Sequence, residues 1–361
     1  MSHVLITGGG TAGHVVPALP VAQRLREQGH RVSWIGSQSG LEERLVAGAV
    51  DDYHGIAAGK LRRYWSWQNV KDAFAVVLGI FQALLKVRRL RPDVVFSKGG
   101  FVSFPVVLAA WIWRIPVIAH ESDRSPGLAN RLSYPFIAHL CTNFPESDTG
   151  FAGPVTYTGT PVRQALLEGN AERGRAFLFG AQHQDSPAAP VLLVTGGSLG
   201  ADRLNAAVLE ALPQLCQSWR VVHLCGPGKL PALAEPIAGY RPFEYLSAEW
   251  GDVLAAADLV VSRAGANTLF ELLALGKPHL LVPLSLAASR GDQIENADYA
   301  QAAGYSQVLQ EQDLTAASLV AALTDLAADA AQRRERLAGF QRPDAAALIS
   351  KLLLDVAGGH G

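Results

Sequence analysis

No stretch of the chain reaches the roughly 18 consecutive apolar residues that a membrane-spanning helix needs. The longest apolar runs, Phe74 to Leu85 (broken by Gln82) and Phe104 to Trp113, suffice only for a buried or an interfacial helix. No basic segment with an apolar core precedes the first expected strand, so no signal peptide is expected. Cysteine is scarce: Cys141, Cys216 and Cys225 are odd in number, far apart and outside any metal-ligand spacing, which fits buried thiols in a reducing compartment. Charge is also sparse, at 17% of residues against 49% hydrophobic, which excludes a disordered chain. The formal net charge of -1 gives bulk electrostatics no reason to favour a nucleic-acid partner.

What the chain has is length and punctuated glycine. Its 361 residues exceed what one core usually serves, so two domains are expected. The apolar run Val4 to Thr7 empties into Gly8-Gly9-Gly10-Thr11-Ala12-Gly13-His14 and restarts as an amphipathic segment. Stretches of the same kind follow at Val94 to Ser103, Val191 to Gly200 and Leu259 to Thr268. Only glycines let backbone N–H groups crowd against a ligand at such turns. Two in each half argue for two similar Rossmann-like α/β units facing one ligand cleft.

Between the turns, β-type runs alternate with helical spacing. Strands are expected at Val4 to Thr7, Arg31 to Ile35, Val94 to Phe96, Val117 to Ala119 and Thr156 to Tyr157, with helices at 18–28, 41–47, 69–90 and 104–113. The second half repeats the alternation at Val191 to Thr195, Trp219 to Leu224, Phe243 to Tyr245, Leu259 to Ser262 and His279 to Val282. Such a series builds parallel sheets covered on both faces. The expected division is a first domain over 1–162, a second over 163–340, and a final helix within 341–361 that crosses back to the first domain.

The ordered motifs carry a resemblance. Gly9-Gly10-Thr11-Ala12-Gly13-His14 with Pro17, Gly99-Gly100-Phe101-Val102-Ser103 with Pro105, and His120-Glu121 before Pro126-Gly127-Leu128-Ala129-Asn130 occupy the first half. Gly159-Thr160-Pro161-Val162-Arg163, Gly196-Gly197-Ser198-Leu199-Gly200-Ala201 with Asn205, Arg263-Ala264-Gly265-Ala266-Asn267-Thr268 with Glu271, and Asp292-Gln293 with Asn296-Ala297 follow. Over essentially its whole length the chain resembles the MurG family. These transferases move N-acetylglucosamine from UDP-GlcNAc to lipid I (undecaprenyl-diphospho-MurNAc-pentapeptide), forming lipid II for peptidoglycan at the cytoplasmic face of the membrane. The resemblance implies the two-domain GT-B architecture, inverting displacement at the anomeric carbon and peripheral attachment to the membrane.

It also implies roles. Donor contacts fall on Thr11, Ala12 and Gly13, on Asp123 and Arg163, on Ser198, on Leu246 through its backbone, on Ala266, Asn267, Thr268 and Glu271, and on Asp292 and Gln293. The acceptor-side loops are Gly10, Gly13, Gly99, Gly100 and Ser103. The turn opening at Gly265 suits a diphosphate, since a helix start presents N–H groups and a positive dipole end. A carboxylate such as Glu271 can accept from ribose hydroxyls, although an acid in a first turn is also simply favoured by the dipole. Asp292 and Gln293 would read sugar hydroxyls. Arg263 adds a nearby cation, an arginine at a strand end being equally suited to structure. His14, whose unperturbed pKa lies near working pH, is the first candidate base, and a His capping the first helix is the competing reading. His120 with Glu121 forms a second candidate pair, at a strand end where catalytic groups of open sheets collect. With no Asp-x-Asp motif, neither a metal nor any other cofactor is expected.

For the lipid acceptor, Lys60 to Arg91 holds eight Lys or Arg and one acid, interleaved with Leu61, Tyr64, Trp65, Trp67 and the apolar run from Phe74. This segment fits either a monotopic membrane surface or an ordinary amphipathic helix with a solvated basic end. Four positions depart from the family: Ala12 replaces a glycine, Ser122-Asp123 replaces a Gln-Asn pair, and Thr160 stands where Asn is common. They leave open a related transferase with another sugar or lipid acceptor, and a non-catalytic nucleotide-sugar-binding homologue. A sugar-nucleotide epimerase of similar fold would need no lipid-facing basic segment.

Overall fold

The computed structural model describes residues 1–59, 67–147, 149–180, 189–197 and 199–359, with 67–73 described by their backbone alone. The chain divides into two compact units: Met1–Arg163 together with Arg342–Gly361, and Gln164–Gln341.

The first unit is a seven-stranded sheet, every neighbouring pair parallel. Its strands are β1 (His3–Thr7), β2 (Arg31–Ser37), β3 (Asp52–Ile56), β4 (Val94–Ser97), β5 (Val117–Glu121), β6 (His139–Thr142) and β7 (Val155–Tyr157), in the order β3-β2-β1-β4-β5-β6-β7. Continuous apolar runs form its central strands because both faces are covered: along β1, Val4 and Ile6 enter one core cluster and Leu5 the opposite one. The helix Ala345–Gly358, its N-terminus capped by Asp344 accepting from Ala347 N–H at 3.0 Å, returns to this unit and lays Ala345, Ile349 and Leu353 into the first cluster. Truncating Ile349 or Leu353 to Ala would cost roughly 2–5 kcal/mol.

The second unit has six parallel strands: β8 (Val191–Thr195), β9 (Arg220–Leu224), β10 (Tyr240–Phe243), β11 (Leu259–Ser262), β12 (His279–Leu281) and β13 (Gln307–Val308), in the order β10-β9-β8-β11-β12-β13. Leu192 and Val194 face one core, Val191 and Leu193 the other. In both sheets the strand order reverses, between β1 and β4 and between β8 and β11, and such switch points are where open α/β sheets leave a crevice beyond their carboxyl ends. All four glycine turns leave these four strands.

Three strands have no counterpart in the sequence pattern, and one is shifted. β3 is Asp-Tyr-His-Gly-Ile with Ile56 alone fully buried, β6 mixes His, Cys and Thr with one Leu, and β13 has two residues. The strand expected at Phe243 to Tyr245 runs over Tyr240–Phe243 instead. It lies at the sheet edge, where Pro242 is tolerated, and is anchored by Tyr240, whose hydroxyl lies 3.0 Å from His223 Nδ1. Tyr245 lies beyond the strand and is exposed.

Candidate functional site

At the first switch point the turns after β1 and β4 cross. Gly9 N–H donates to Gly99 O at 3.4 Å, and a Cβ on Gly100, whose φ is +89°, would strike the Gly9 carbonyl oxygen, so this crossing requires glycine. Gly10 N–H donates to Glu42 Oε1 at 2.6 Å, and Ser37 Oγ donates to Oε2 of the same buried carboxylate at 2.9 Å. Ser103, buried at the start of the helix Ser103–Ile112, donates its hydroxyl to Gly99 O at 2.6 Å. Its proton is therefore committed to shaping the loop. A hollow of about 480 Å³ opens here, lined among others by Gly10, Ser37, Gly40, Glu42 and Phe101.

Thr11 caps the short turn Ala12–His14, exposed itself, with Ala12, Gly13 and His14 half-buried behind it. His14 Nδ1 lies 3.3 Å from Lys98 O. A carbonyl only accepts, so Nδ1 carries the proton and, in the neutral ring, Nε2 carries the lone pair. Beneath the crossing Lys98 is 1% exposed and hydrogen-bonds Ser122 Oγ, and burial pulls its pKa down to about 8.

His120 and Glu121 do not fit the role of a catalytic pair. His120 Nε2 donates to Gly159 O at 3.0 Å deep in the core, and burial, with the Lys98 charge, holds its pKa well below the ordinary value. Glu121 accepts from Asp123 N–H (3.1 Å), Gly127 N–H (2.9 Å) and Asn130 Nδ2 (2.8 Å). Burial, and then Asp123, raise its pKa. His120 is thus spent on the 159 turn and Glu121 on the 121–130 loop, which leaves Asp123 half-buried at its rim. Arg163, half-buried, is the last residue of this unit before the crossover.

In the second unit the turn after β8 runs through Gly196 and Gly197 to the helix Asp202–Ser218; Ser198 lies outside the described residues. Gly200 (φ +69°) abuts the Cys225 carbonyl, and a Cβ there would strike that oxygen. Asn205 pins the same carbonyl with its Nδ2 at 2.8 Å while its Oδ1 lies 3.0 Å from His223 Nε2. Leu246, three residues beyond β10, is buried with Val222, Leu224 and Val253, which fixes the backbone expected to meet a base.

Across the switch point, Gly265 caps the helix Ala266–Ala274, with Ala266 buried and Asn267 and Thr268 half-buried in its first turn. Leu269, Phe270, Leu272 and Leu273 bury one side of this helix, and Glu271 is half-buried. Asp292 and Gln293 open the helix Asp292–Ala302 after Gly291 (φ +95°), with Arg290 Nε 3.5 Å from Asp292 Oδ1. Gln293 Oε1 accepts from Leu284 N–H at 3.1 Å. Arg263 is not a ligand-facing cation: it is buried against Glu311, with Nη2 2.5 Å from Oε1. Among the described residues no group of three or more His, Cys, Asp or Glu is placed to hold a metal ion.

Glu42, Lys98 and Glu311 are the polar residues that sequence reasoning passes over. Lys98 alone carries a local signal, a charge ending an apolar strand.

The chain matches the glycosyltransferase family 28 N-terminal domain over residues 4–142 and the family's C-terminal domain over 191–349. It is 50% identical over 325 residues, 90% of this chain and 88% of the other, to the UDP-N-acetylglucosamine–N-acetylmuramyl-(pentapeptide) pyrophosphoryl-undecaprenol N-acetylglucosamine transferase of Legionella pneumophila (strain Lens). A Bacillus cereus transferase of the same name is 46% identical over 327 residues, 90% of this chain and 92% of its own. Among solved structures, Acinetobacter baumannii MurG is similar with a TM-score of 0.74 and 26% identity, over 98% of this chain and 100% of that one.

Proposed function

The chain belongs to glycosyltransferase family 28, matched in both of its domains, and from that premise we propose that it transfers N-acetylglucosamine from UDP-GlcNAc to lipid I, forming lipid II. The observation that carries the reading is the 50% identity, over 90% of the chain, to a transferase of that name. Two switch points, each flanked by two glycine turns, supply a fitting geometry.

In this reading the second unit holds the nucleotide. The start of the helix Ala266–Ala274 faces the diphosphate with N–H groups and a positive dipole end, and Glu271 accepts from the ribose hydroxyls. Leu246 meets the base through its backbone, Ser198 and Arg163 take the phosphates, and Asp292 and Gln293 read the sugar. The first unit holds the acceptor diphosphate at the crossed turns of Gly10, Gly13, Gly99 and Gly100. The acceptor hydroxyl attacks the anomeric carbon from the face opposite UDP and its proton passes to His14 Nε2. The bond to the diphosphate oxygen breaks, and UDP leaves with the electron pair, stabilised by helix N–H groups and Arg163. No cofactor takes part.

The lipid acceptor places the protein at a membrane surface. Among the described residues no helix is long and apolar enough to cross a membrane. The helix Trp67–Leu90 buries Ala83 and Val87 yet leaves Phe74, Phe81 and Leu85 at 71%, 63% and 72% exposure. It packs on the helix Ser103–Ile112, which ends in exposed Trp111, Ile112 and Trp113, and Arg88 lies over the Trp113 ring at 4.9 Å. With Lys86, Arg89, Arg91 and Arg114 nearby in sequence, this apolar face edged by cations supports peripheral attachment at the cytoplasmic face. Lys60, Arg62, Arg63 and the aromatics Tyr64 and Trp65 of the same segment lie outside the described residues.

The test is incubation with UDP-GlcNAc and a short-chain lipid I analogue, read by mass spectrometry beside UDP-Glc and UDP-GalNAc. Addition of one N-acetylhexosamine from UDP-GlcNAc in preference supports the reading. Preference for another donor would favour a related transferase, and no transfer would favour a binding homologue.

A further inference from the structure

Arg263 leaves β11 two residues before Gly265, where a cation facing the diphosphate would be expected. Its guanidinium turns inward instead. Nη1 donates to Val282 O at 3.1 Å and Nη2 to Glu311 Oε1 at 2.5 Å, with both side chains buried. The second oxygen of Glu311 accepts from Ser285 N–H at 3.0 Å. One residue earlier, Leu284 N–H donates to Gln293 Oε1 at 3.1 Å, and Asn296 Nδ2 donates to Ala264 O at 3.2 Å. A continuous set of hydrogen bonds thus runs from the entry of one helix, through Glu311 and the 284–285 backbone, to the first turn of the next.

We propose that Arg263 and Glu311 are positioning residues for recognition of the donor sugar, an inference that rests on the sugar-nucleotide reading of this unit. The pair fixes the 284–285 backbone, and that backbone fixes the Gln293 amide. Leu284 N–H needs an acceptor, so the carboxamide oxygen must face it, and Nε2 is left as the group that Gln293 offers a ligand. Gln293 then donates where its neighbour Asp292 accepts. Two adjacent hydroxyls of one configuration satisfy both directions, and an epimer misplaces one of them.

The experiment compares the intact protein with Glu311→Gln, which keeps the volume and one acceptor but loses an anionic oxygen. The KM for UDP-GlcNAc, the inhibition constant of UDP alone, and the ratio of kcat/KM for UDP-GlcNAc over UDP-GalNAc are measured for each. We expect the UDP inhibition constant to hold within about twofold, while the KM rises and the selectivity ratio falls tenfold or more, since a displacement near 1 Å can cost about a hundredfold. Equal weakening of UDP and UDP-GlcNAc would place the pair in nucleotide binding, and unchanged KM and selectivity in a folded variant would reduce it to a core ion pair. Either result overturns the proposal. Breaking one half of a buried pair can unfold a protein, whereas replacing both halves by apolar residues is often tolerated. Arg263→Met combined with Glu311→Leu is therefore the second variant, with the same expected split. In the unaltered protein the Leu284 and Ser285 amides should exchange slowly with solvent, and exchange at open-loop rates contradicts the anchoring. If the unaltered enzyme transfers no sugar from any UDP-hexose, it is the sugar-nucleotide reading that fails, which is seen before any variant is compared.

Discussion

The imidazole of His14 and the backbone carbonyl of Lys98, 84 residues apart in the chain, lie 3.3 Å from one another at Nδ1. The contact sets the tautomer: Nδ1–H donates and Nε2 is basic, on the rim of the crossed glycine turns. His14→Gln keeps a polar side chain but has no basic nitrogen. It should lower kcat by about 10²–10⁴-fold, the usual worth of a general base, with the KM for UDP-GlcNAc little changed. A loss under tenfold in single-turnover kinetics would return His14 to the role of a turn cap.

Glu271→Ala should weaken UDP binding by about 1–3 kcal/mol through loss of the ribose contact. Folding should survive, because the apolar side of its helix is carried by Leu269, Phe270, Leu272 and Leu273. Isothermal titration of UDP settles it, and an unchanged affinity contradicts the ribose contact.

Turnover should continue in excess chelator, because helix N–H groups and Arg163 are assigned to the leaving diphosphate. A strict requirement for added magnesium or manganese would overturn that assignment.

His223 and His279 are held neutral in the core of the second unit, burial depressing each pKa from 6.5 to about 4. Between these values the unfolded chain binds protons that the folded one does not, so stability rises with pH across that window and is lost as pH falls from about 6.5 toward 4. Each contributes on the order of 3 kcal/mol to that loss. Denaturant melts at pH 7 and pH 4.5 read the effect, and it should shrink in His279→Gln. Equal stability at the two pH values would contradict neutral burial.

The membrane face predicts a separation of readouts. Phe74→Ser combined with Phe81→Ser should reduce binding to anionic vesicles and turnover of membrane-embedded acceptor, while turnover of a soluble short-chain acceptor stays near the original. Vesicle binding should also weaken with added salt, because each cation near the surface contributes about 1 kcal/mol that fades within a Debye length. Equal loss on both acceptors would assign these side chains to the fold.

Much of the fold is legible because its central strands are covered on both faces: β1, β4, β8 and β11 are largely apolar runs, each followed by a glycine turn, and the turns after β1 and β4 cross so closely that they require glycine. Every edge strand but β7 escapes or shifts from the pattern, and so does the interior β6, whose His-Leu-Cys-Thr is no apolar run. β3 buries little, β13 is too short, and β10 carries a proline that only its edge position allows. The polar framework beneath the turns is illegible for a different reason. Gly10 meets Glu42 across 32 positions, Lys98 meets Ser122 across 24 and Arg263 meets Glu311 across 48, so each partner is supplied by topology rather than by neighbouring sequence. The same distance hides that His120 and Glu121, which read as a catalytic pair, are spent on Gly159 and on the 123–130 loop.

The most direct test of the proposed transfer is its stereochemistry, followed by proton NMR with UDP-GlcNAc and a soluble short-chain lipid I analogue. Loss of the α-anomeric signal of the donor should be matched, one for one, by a β-anomeric signal of the linked disaccharide and by free UDP. A retained α linkage, free N-acetylglucosamine without disaccharide, or a 2-epimer formed without acceptor would each contradict inverting transfer to lipid I.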